Sequence, residues 1–206
     1  MPKKTLIQIS TKTGDAGLSG LADGARLSKD ALIFEVVGTL DELNSWLGVV
    51  AAQLNESTQK SSEKRRFTAV KQMTKQLYAI QNTLFYIGAE LANSPKVEFA
   101  VEDLHILEEW SDSLQHQLAD NWTTLFLLPG GSSIGAWVDI ARTVCRRAER
   151  VLVTHSHHST VRPIILQYLN RLSDFLYVLR CFVNQEFSYT EQPFIAKNLK
   201  KSPQEG

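Results

Sequence analysis

The chain has 206 residues, 43% of them hydrophobic and 21% charged, with 22 basic and 22 acidic side chains and a formal net charge of zero. This is the balance of an ordinary globular domain. It excludes a global field for nucleic acid or an anionic membrane, so any anion site must be built locally.

Residues 1–30 are punctuated by Gly14, Gly17, Gly20 and Gly24, which marks a loop needing unusual backbone angles or close approach to another group. Within it, Thr11, Lys12, Thr13, Gly14 and Asp15 combine hydroxyls, an ammonium and a flexible backbone suited to polyphosphate. The chain has no GxxxxGK[ST] run, so this is not a Walker A loop, and a plain surface loop is the alternative. Thr39-Leu40-Asp41-Glu42 has the form of a capping box and predicts a helix start, followed by Leu43, Trp46, Leu47, Val50, Ala51 and Leu54 at helical spacing. Residues 55–65 read as a loop. A second helix is expected over 66–93, stopped by Ser94-Pro95, and a third over 101–119. An apolar FLLPGG turn leads into a fourth helix within 131–153, whose exit His155, His157 and His158 mark as a loop. A fifth helix is expected over 163–187, and 191–206 reads as a disordered tail. The prediction is an all-α, five-helix bundle over 31–190, forming one domain with the loop.

The fourth helix carries a polar stripe of Asp139, Arg142, Arg146, Glu149 and Arg150, opposite Trp137, Ala141, Val144, Cys145, Ala148, Val151 and Leu152. At about 100° per residue the stripe occupies roughly one third of the circumference. Guanidinium groups one turn apart match phosphate oxygens two at a time; the alternative is a salt-bridged surface helix. On the fifth helix Asn170, Ser173, Asp174, Tyr177, Cys181 and Asn184 form a second stripe, either an interhelical hydrogen-bond network or a wall facing a ligand. The three clustered histidines lack a neighbouring Cys or carboxylate, and Glu102-x-x-His105 has no second copy, so no metal site is predicted. Cys145 and Cys181 read as reduced core side chains. No stretch of about 18 apolar residues occurs. MPKKTLIQIS has neither a signal peptide's apolar region nor a transit peptide's Arg content, so the cytoplasm is the expected compartment.

Four blocks, in order, carry a family resemblance: TKTGDAG with a trailing LSKD, VGTLDELNSWLG, FLLPGG followed by ARTVCRRAER, and YLNRLSDFLYVLR. From Thr11 to Asn184 the chain resembles the PduO-type ATP:cob(I)alamin adenosyltransferases. The resemblance implies a five-helix trimer with ATP and corrinoid at the subunit interfaces. It implies transfer of the 5′-deoxyadenosyl group of ATP to cob(I)alamin, or to a cob(I)yrinic acid diamide precursor, with release of triphosphate. Carried over by position, Thr11, Lys12, Thr13, Gly14, Asp15 and Lys29 hold the ATP phosphates. Arg142 and Arg146 lie on the ATP side of the interface with Glu149, and Asn170 contacts the nucleotide. Asp41 pairs with Arg142, and Phe126 crowds the lower face of cobalt and keeps its axial base off. Mg²⁺ is expected on the phosphates, with no direct protein metal site, and an electron donor or reductase is expected to supply Co(I). Two positions depart from the family pattern: Asp139 stands where His is common, and Leu179-Arg180 where Ala-Arg is common. The first is expected to alter the surroundings of the nucleotide or corrinoid, the second only packing. The competing reading is a non-catalytic nucleotide- or corrinoid-binding helical protein, which would need neither Phe126 nor Asp41.

Overall fold

The computed structural model describes residues 10, 12–58, 64–120, 122 and 126–195. Five helices follow a short antiparallel hairpin: β1 (Leu18–Gly20), β2 (Arg26–Ser28), α1 (Leu32–Thr58), α2 (Lys64–Leu91), α3 (Val101–Gln115), α4 (Ser133–Ser156) and α5 (Pro163–Glu186). In the hairpin Leu18 pairs with Ser28 and Gly20 with Arg26. The helices pack as a relay, α2 on α1, α1 on α4, α4 on α5 and α5 on α3. The predicted all-α bundle is therefore present, with the hairpin inside the segment read as a loop.

The core follows the helical spacing of the sequence. Val36, Leu43, Leu47, Val50 and Leu54 of α1 meet Val70, Leu77, Ile80 and Ile87 of α2, all buried. Asn44 and Gln81 cross that interface reciprocally, each side-chain amide donating to the other's backbone carbonyl at 3.2 and 2.9 Å. The α1–α4 contact is fixed by Trp46 stacked on Trp137, centroids 5.4 Å apart.

The predicted helix start at Thr39 is wrong by two turns, because α1 begins at Leu32. Thr39 lies inside the helix, and its hydroxyl donates back to the Glu35 carbonyl at 2.7 Å instead of capping. The preceding LIFEVVG looks unhelical by propensity, yet Ile33, Val36 and Leu40 recur at helical spacing and are buried, and packing overrides propensity. The helix also continues to Thr58, past the predicted loop boundary at 55. At its far end α2 stops at Leu91, where Asn93 adopts the left-handed conformation (φ 60°) and Ser94 N–H donates to Ala89 O at 2.9 Å, a Schellman-type end. Helix α3 ends at Gln115, earlier than expected.

His155 is buried in the last turn of α4, not in a loop. Residues 191–195, expected to belong to a disordered tail, return along the bundle: Leu128 N–H donates to Gln192 O at 2.8 Å and Phe194 N–H to Phe126 O. Residues 196–206 lie outside the described residues.

One clamp joins the end of α2, the entry to α3 and the start of α5. Glu90 receives Arg162 Nε and Nη2 at 2.7 and 2.8 Å and Phe99 N–H at 2.6 Å, while Arg162 also donates to Phe99 O at 2.6 Å. Burial pushes the Glu90 carboxyl upward, but the Arg162 guanidinium and the Phe99 N–H outweigh it and hold the group below its usual range. A carboxylate depressed on folding stabilises above its unfolded value of about 4.3 and loses that contribution as pH falls through the folded value. Glu90→Gln should therefore lower stability at pH 7 by roughly 1–3 kcal/mol. Thermal melts of both proteins should show the difference shrinking progressively below about pH 4.3.

Candidate active site

Helix α4 begins where Ser132, in extended backbone, accepts the Gly135 N–H on its hydroxyl at 3.0 Å. The predicted stripe follows, but its members diverge. Arg146 and Arg150 are exposed, and Arg142 and Glu149 are half-buried. Asp139, expected among the solvent-facing members, is turned into the protein at 6% exposure. Its Oδ1 accepts Arg142 Nε at 3.0 Å, and its Oδ2 accepts Gly130 N–H at 2.8 Å and Arg180 Nε at 3.1 Å.

Beside this face, α3, α4 and α5 enclose a cavity of about 680 Å³. Arg142, Arg146 and Arg171 line it together with the carboxylates of Glu108, Asp112 and Asp174. Arg171 is engaged, donating to Glu108 Oε1 at 3.1 Å and to Asn170 Oδ1 at 2.8 Å. Asn170 in turn donates to Glu149 Oε1 at 3.1 Å. Arg146 forms no ion pair among the described residues, so its guanidinium is available to an incoming anion.

The α5 stripe divides between the two readings given to it. Ser173, Asp174 and Tyr177 line the cavity, whereas Asn184 belongs to an internal network. Asn184 Oδ1 accepts the Ser132 N–H and hydroxyl at 3.0 and 2.9 Å, and its Nδ2 donates to Gly130 O at 3.1 Å and Glu191 Oε1 at 3.0 Å. Both cysteines are free and buried. Burial pushes the Cys145 thiol far upward, and it donates to Leu169 O at 3.3 Å; burial also raises Cys181. Neither is a thiolate nucleophile at neutral pH. Among the described lining residues there is no histidine, and the Ser173 hydroxyl donates to the Asn170 carbonyl at 2.9 Å. Among the described residues no group of three His, Cys, Asp or Glu side chains could hold a metal ion.

The other predicted site residues lie elsewhere on the chain. Lys12 is exposed in the left-handed conformation (φ 57°), at the start of a turn closed by Asp15 N–H on Lys12 O and Gly17 N–H on Gly14 O. Arg26 Nη2 holds the turn through Thr13 O at 2.7 Å. Lys29 folds against Gly14, where a Cβ would sit 3.1 Å from the lysine Nζ. Thr11 lies outside the described residues. Asp41 is exposed on α1 and borders a separate cleft with Val37, Gly38 and Phe85. The expected partner of Arg142 was Asp41; within one chain that partner is Asp139. Phe126 is 85% exposed at the edge of the FLLPGG turn. A single chain thus places Arg142 and Arg146 on the cavity wall, joins Glu149 and Asn170 to it through Arg171, and leaves Lys12–Asp15, Asp41 and Phe126 off that wall.

Sequence reasoning missed Glu191 and Arg26, and it read Arg180 only as part of a packing departure. It also missed the α1–α4 ion pair between Glu42 and Arg147. Arg180 is 1% exposed and donates to Leu128 O at 2.8 Å and Glu191 Oε1 at 2.9 Å, besides Asp139. A charged residue inside an otherwise apolar run, LYVLRCFV, was the available signal. Leu179, read as a packing departure, is fully buried.

The turn itself depends on glycine. Gly131 has φ 112°, and a Cβ there would lie 2.2 Å from Asn184 Nδ2. Gly131→Ala should destabilise the protein by roughly 1–3 kcal/mol through backbone strain alone. Denaturant unfolding should register this as a lower midpoint with an unchanged slope.

Comparison with known proteins agrees with this architecture. The family model described as cobalamin adenosyltransferase matches residues 9–183. A cobalamin adenosyltransferase of Cupriavidus metallidurans is 36% identical over 87% of this chain and 90% of its own length. The corrinoid adenosyltransferase of Bacillus subtilis is 36% identical over 86% and 87%. Among solved structures, a phenylalanine-to-histidine variant of the PduO-type ATP:corrinoid adenosyltransferase from Lactobacillus reuteri, complexed with cobalamin and ATP, superposes with a TM-score of 0.78. It is 26% identical and covers 91% of this chain and 96% of that one. An arginine-to-lysine variant of the same enzyme, complexed with ATP, gives 0.76 at 28% identity, covering 91% and 100%. With the matched segment running from the glycine-rich turn to the end of α5, the chain belongs to the cobalamin adenosyltransferase family.

Proposed function

We propose that this protein is a corrinoid adenosyltransferase that moves the 5′-deoxyadenosyl group of ATP to the cobalt of cob(I)alamin, or of a cob(I)yrinic acid diamide precursor, and releases triphosphate. The observation that carries this reading is the cavity lined by Arg142 and Arg146, the latter with no ion pair among the described residues. Cob(I)alamin is itself the nucleophile. A cobalt–carbon bond forms at C5′, the C5′–oxygen bond breaks, and its electron pair leaves with the triphosphate. The protein has to orient C5′ and stabilise the charge that develops on the leaving group.

In this reading Arg142 and Arg146 receive the triphosphate, and Glu149 and Asn170 hold the nucleoside end. The TKTGD turn (Thr11, Lys12, Thr13, Gly14, Asp15) and Lys29 enclose the phosphates from a neighbouring copy. That division is supported by Lys12–Asp15 and Lys29 lying off the cavity wall within one chain, whereas Asn170 and Glu149 are tied to it through the wall residue Arg171. Asp41 then reaches Arg142 across a cyclic trimer interface, a heterologous contact in which two different surfaces of the chain meet. Phe126 excludes the lower axial base of cobalt, a role favoured by its exposure as a large apolar side chain. Among the described residues no cluster of His, Cys, Asp or Glu could hold a metal ion. In this reading Mg²⁺ enters on the ATP phosphates and adds positive charge there. The reaction, on the same reading, takes place in the cytoplasm, with a separate electron donor maintaining Co(I). No helix among the described residues is long and apolar enough to cross a membrane.

Anaerobic incubation with ATP, Mg²⁺ and chemically reduced cobalamin should yield adenosylcobalamin and intact triphosphate. Recovery of pyrophosphate plus phosphate, or of no cobalt–carbon product, would refute the assignment. Arg146→Lys keeps the charge but loses the planar fork, and should cut kcat/KM for ATP by roughly tenfold or more.

The shared site has its own test. Lys12→Ala and Arg146→Ala chains, refolded together, should assemble about a quarter of their interfaces from an intact turn and an intact stripe. Activity should then rise well above either parent. Confirmed mixed trimers without recovered activity would place turn and stripe in the same chain.

A further inference from the structure

We infer that Asp139 is a positioning residue that couples the phosphate-facing Arg142 to the segment bearing Phe126, and that Glu191 completes this coupling from the C-terminal side. The inference rests on the proposed function for the roles of the two ends; the linkage itself rests on geometry. Four charges stand in alternating order, Arg142, Asp139, Arg180 and Glu191, joined at 3.0, 3.1 and 2.9 Å. The two middle members are buried, at 6% and 1% exposure. Removing one would leave the other poorly compensated in a low-dielectric interior.

The row has two working ends. Arg142 lines the cavity. At the other end, Asp139 Oδ2 receives Gly130 N–H at 2.8 Å, and Arg180 Nη2 donates to Leu128 O at 2.8 Å, so both grip the turn that presents Phe126. Glu191 anchors Arg180 and begins the segment 192–194, whose backbone pairs with that of Phe126 and Leu128. The two oxygens of Asp139 are divided between the ends, Oδ1 for Arg142 and Oδ2 for the turn. Rotation of this one carboxylate therefore moves both partners. An anion that draws Arg142 into the cavity acts through Asp139 on the backbone that places Phe126, so nucleotide occupancy adjusts the surface offered to the corrinoid.

Asp139→Asn tests the division, because an amide has one acceptor oxygen where the carboxylate has two. It can serve Arg142 or the turn, not both. We expect kcat/KM for ATP to fall about tenfold, the effect of losing one charge-assisted hydrogen bond. The four-coordinate cob(II)alamin spectrum formed with ATP should weaken in parallel. Glu191→Gln should weaken that spectrum while leaving the KM for ATP where it was. Arg142→Ala, a truncation at the half-buried, cavity-lining end of the row, should accelerate hydrogen exchange at the Gly130 amide, which Arg142 does not touch. If wild-type protein fails to adenosylate reduced cobalamin, the proposed function falls, while amide exchange still reports the coupling. Unchanged Gly130 exchange in Arg142→Ala, or wild-type ATP kinetics in Asp139→Asn, would overturn the coupling.

Discussion

Burying α5 on nearly every side is the constraint on which this structure depends. From Ile165 to Asn184 the helix presents Leu169, Leu172, Phe175, Leu176, Leu179, Phe182 and Val183 to neighbours, each at or near zero exposure. A helix placed so deep leaves its polar side chains little water, and an unmet buried polar group costs about 1–3 kcal/mol. Each of those groups therefore specifies something nearby. Asn184 saturates its amide with the Ser132 cap, Gly130 and Glu191, and Arg180 distributes its guanidinium over Asp139, Leu128 and Glu191. The start of α4, the glycine turn and the returning C-terminal segment are all placed by the requirement that α5 be satisfied. The cavity opens where that requirement relaxes, along Ser173, Asp174 and Tyr177.

Local periodicity made the bundle legible. Helices α2, α4 and α5 were readable because their buried positions recur every three or four residues, and packing selects for that recurrence. The start of α1 was not readable in the same way. Thr39 through Glu42 imitate a cap, and only the burial of Ile33 and Val36 against other helices shows that the helix has already begun. The hairpin of three-residue strands gives too short an alternation to detect. His155 was misplaced for a related reason: polar residues at a helix end look like loop when the turn that buries them is out of view.

The candidate site was legible in its charged surface and opaque in its supports. Spacing singled out Arg142 and Arg146 while leaving a salt-bridged surface helix open, and Asn170 and Glu149, named through the family resemblance, do meet across two helices. Asp139 was read as one more member of the stripe. Its inward turn depends on Arg180, 41 positions later, and on a backbone N–H nine positions earlier. No local pattern encodes a pairing of that kind. Arg142 likewise has a carboxylate three residues before it as its partner within the chain. In the proposed function a distant partner such as Asp41 would come from a second copy of the protein, a matter of assembly and not of helical phase.

The Phe126 turn takes its partners from the end of the described chain. Gly130 is held by Asn184, Leu128 by Arg180 and Gln192, and Phe126 by Phe194. During synthesis α1 and α2 emerge first, and their contact with one another needs nothing that follows. The turn emerges next but has to wait some sixty further residues for the groups that close around it. The polypeptide can thus acquire its first helical hairpin while the aromatic segment is still unclosed. The region proposed to meet the corrinoid is among the last parts of the domain to take shape on the ribosome.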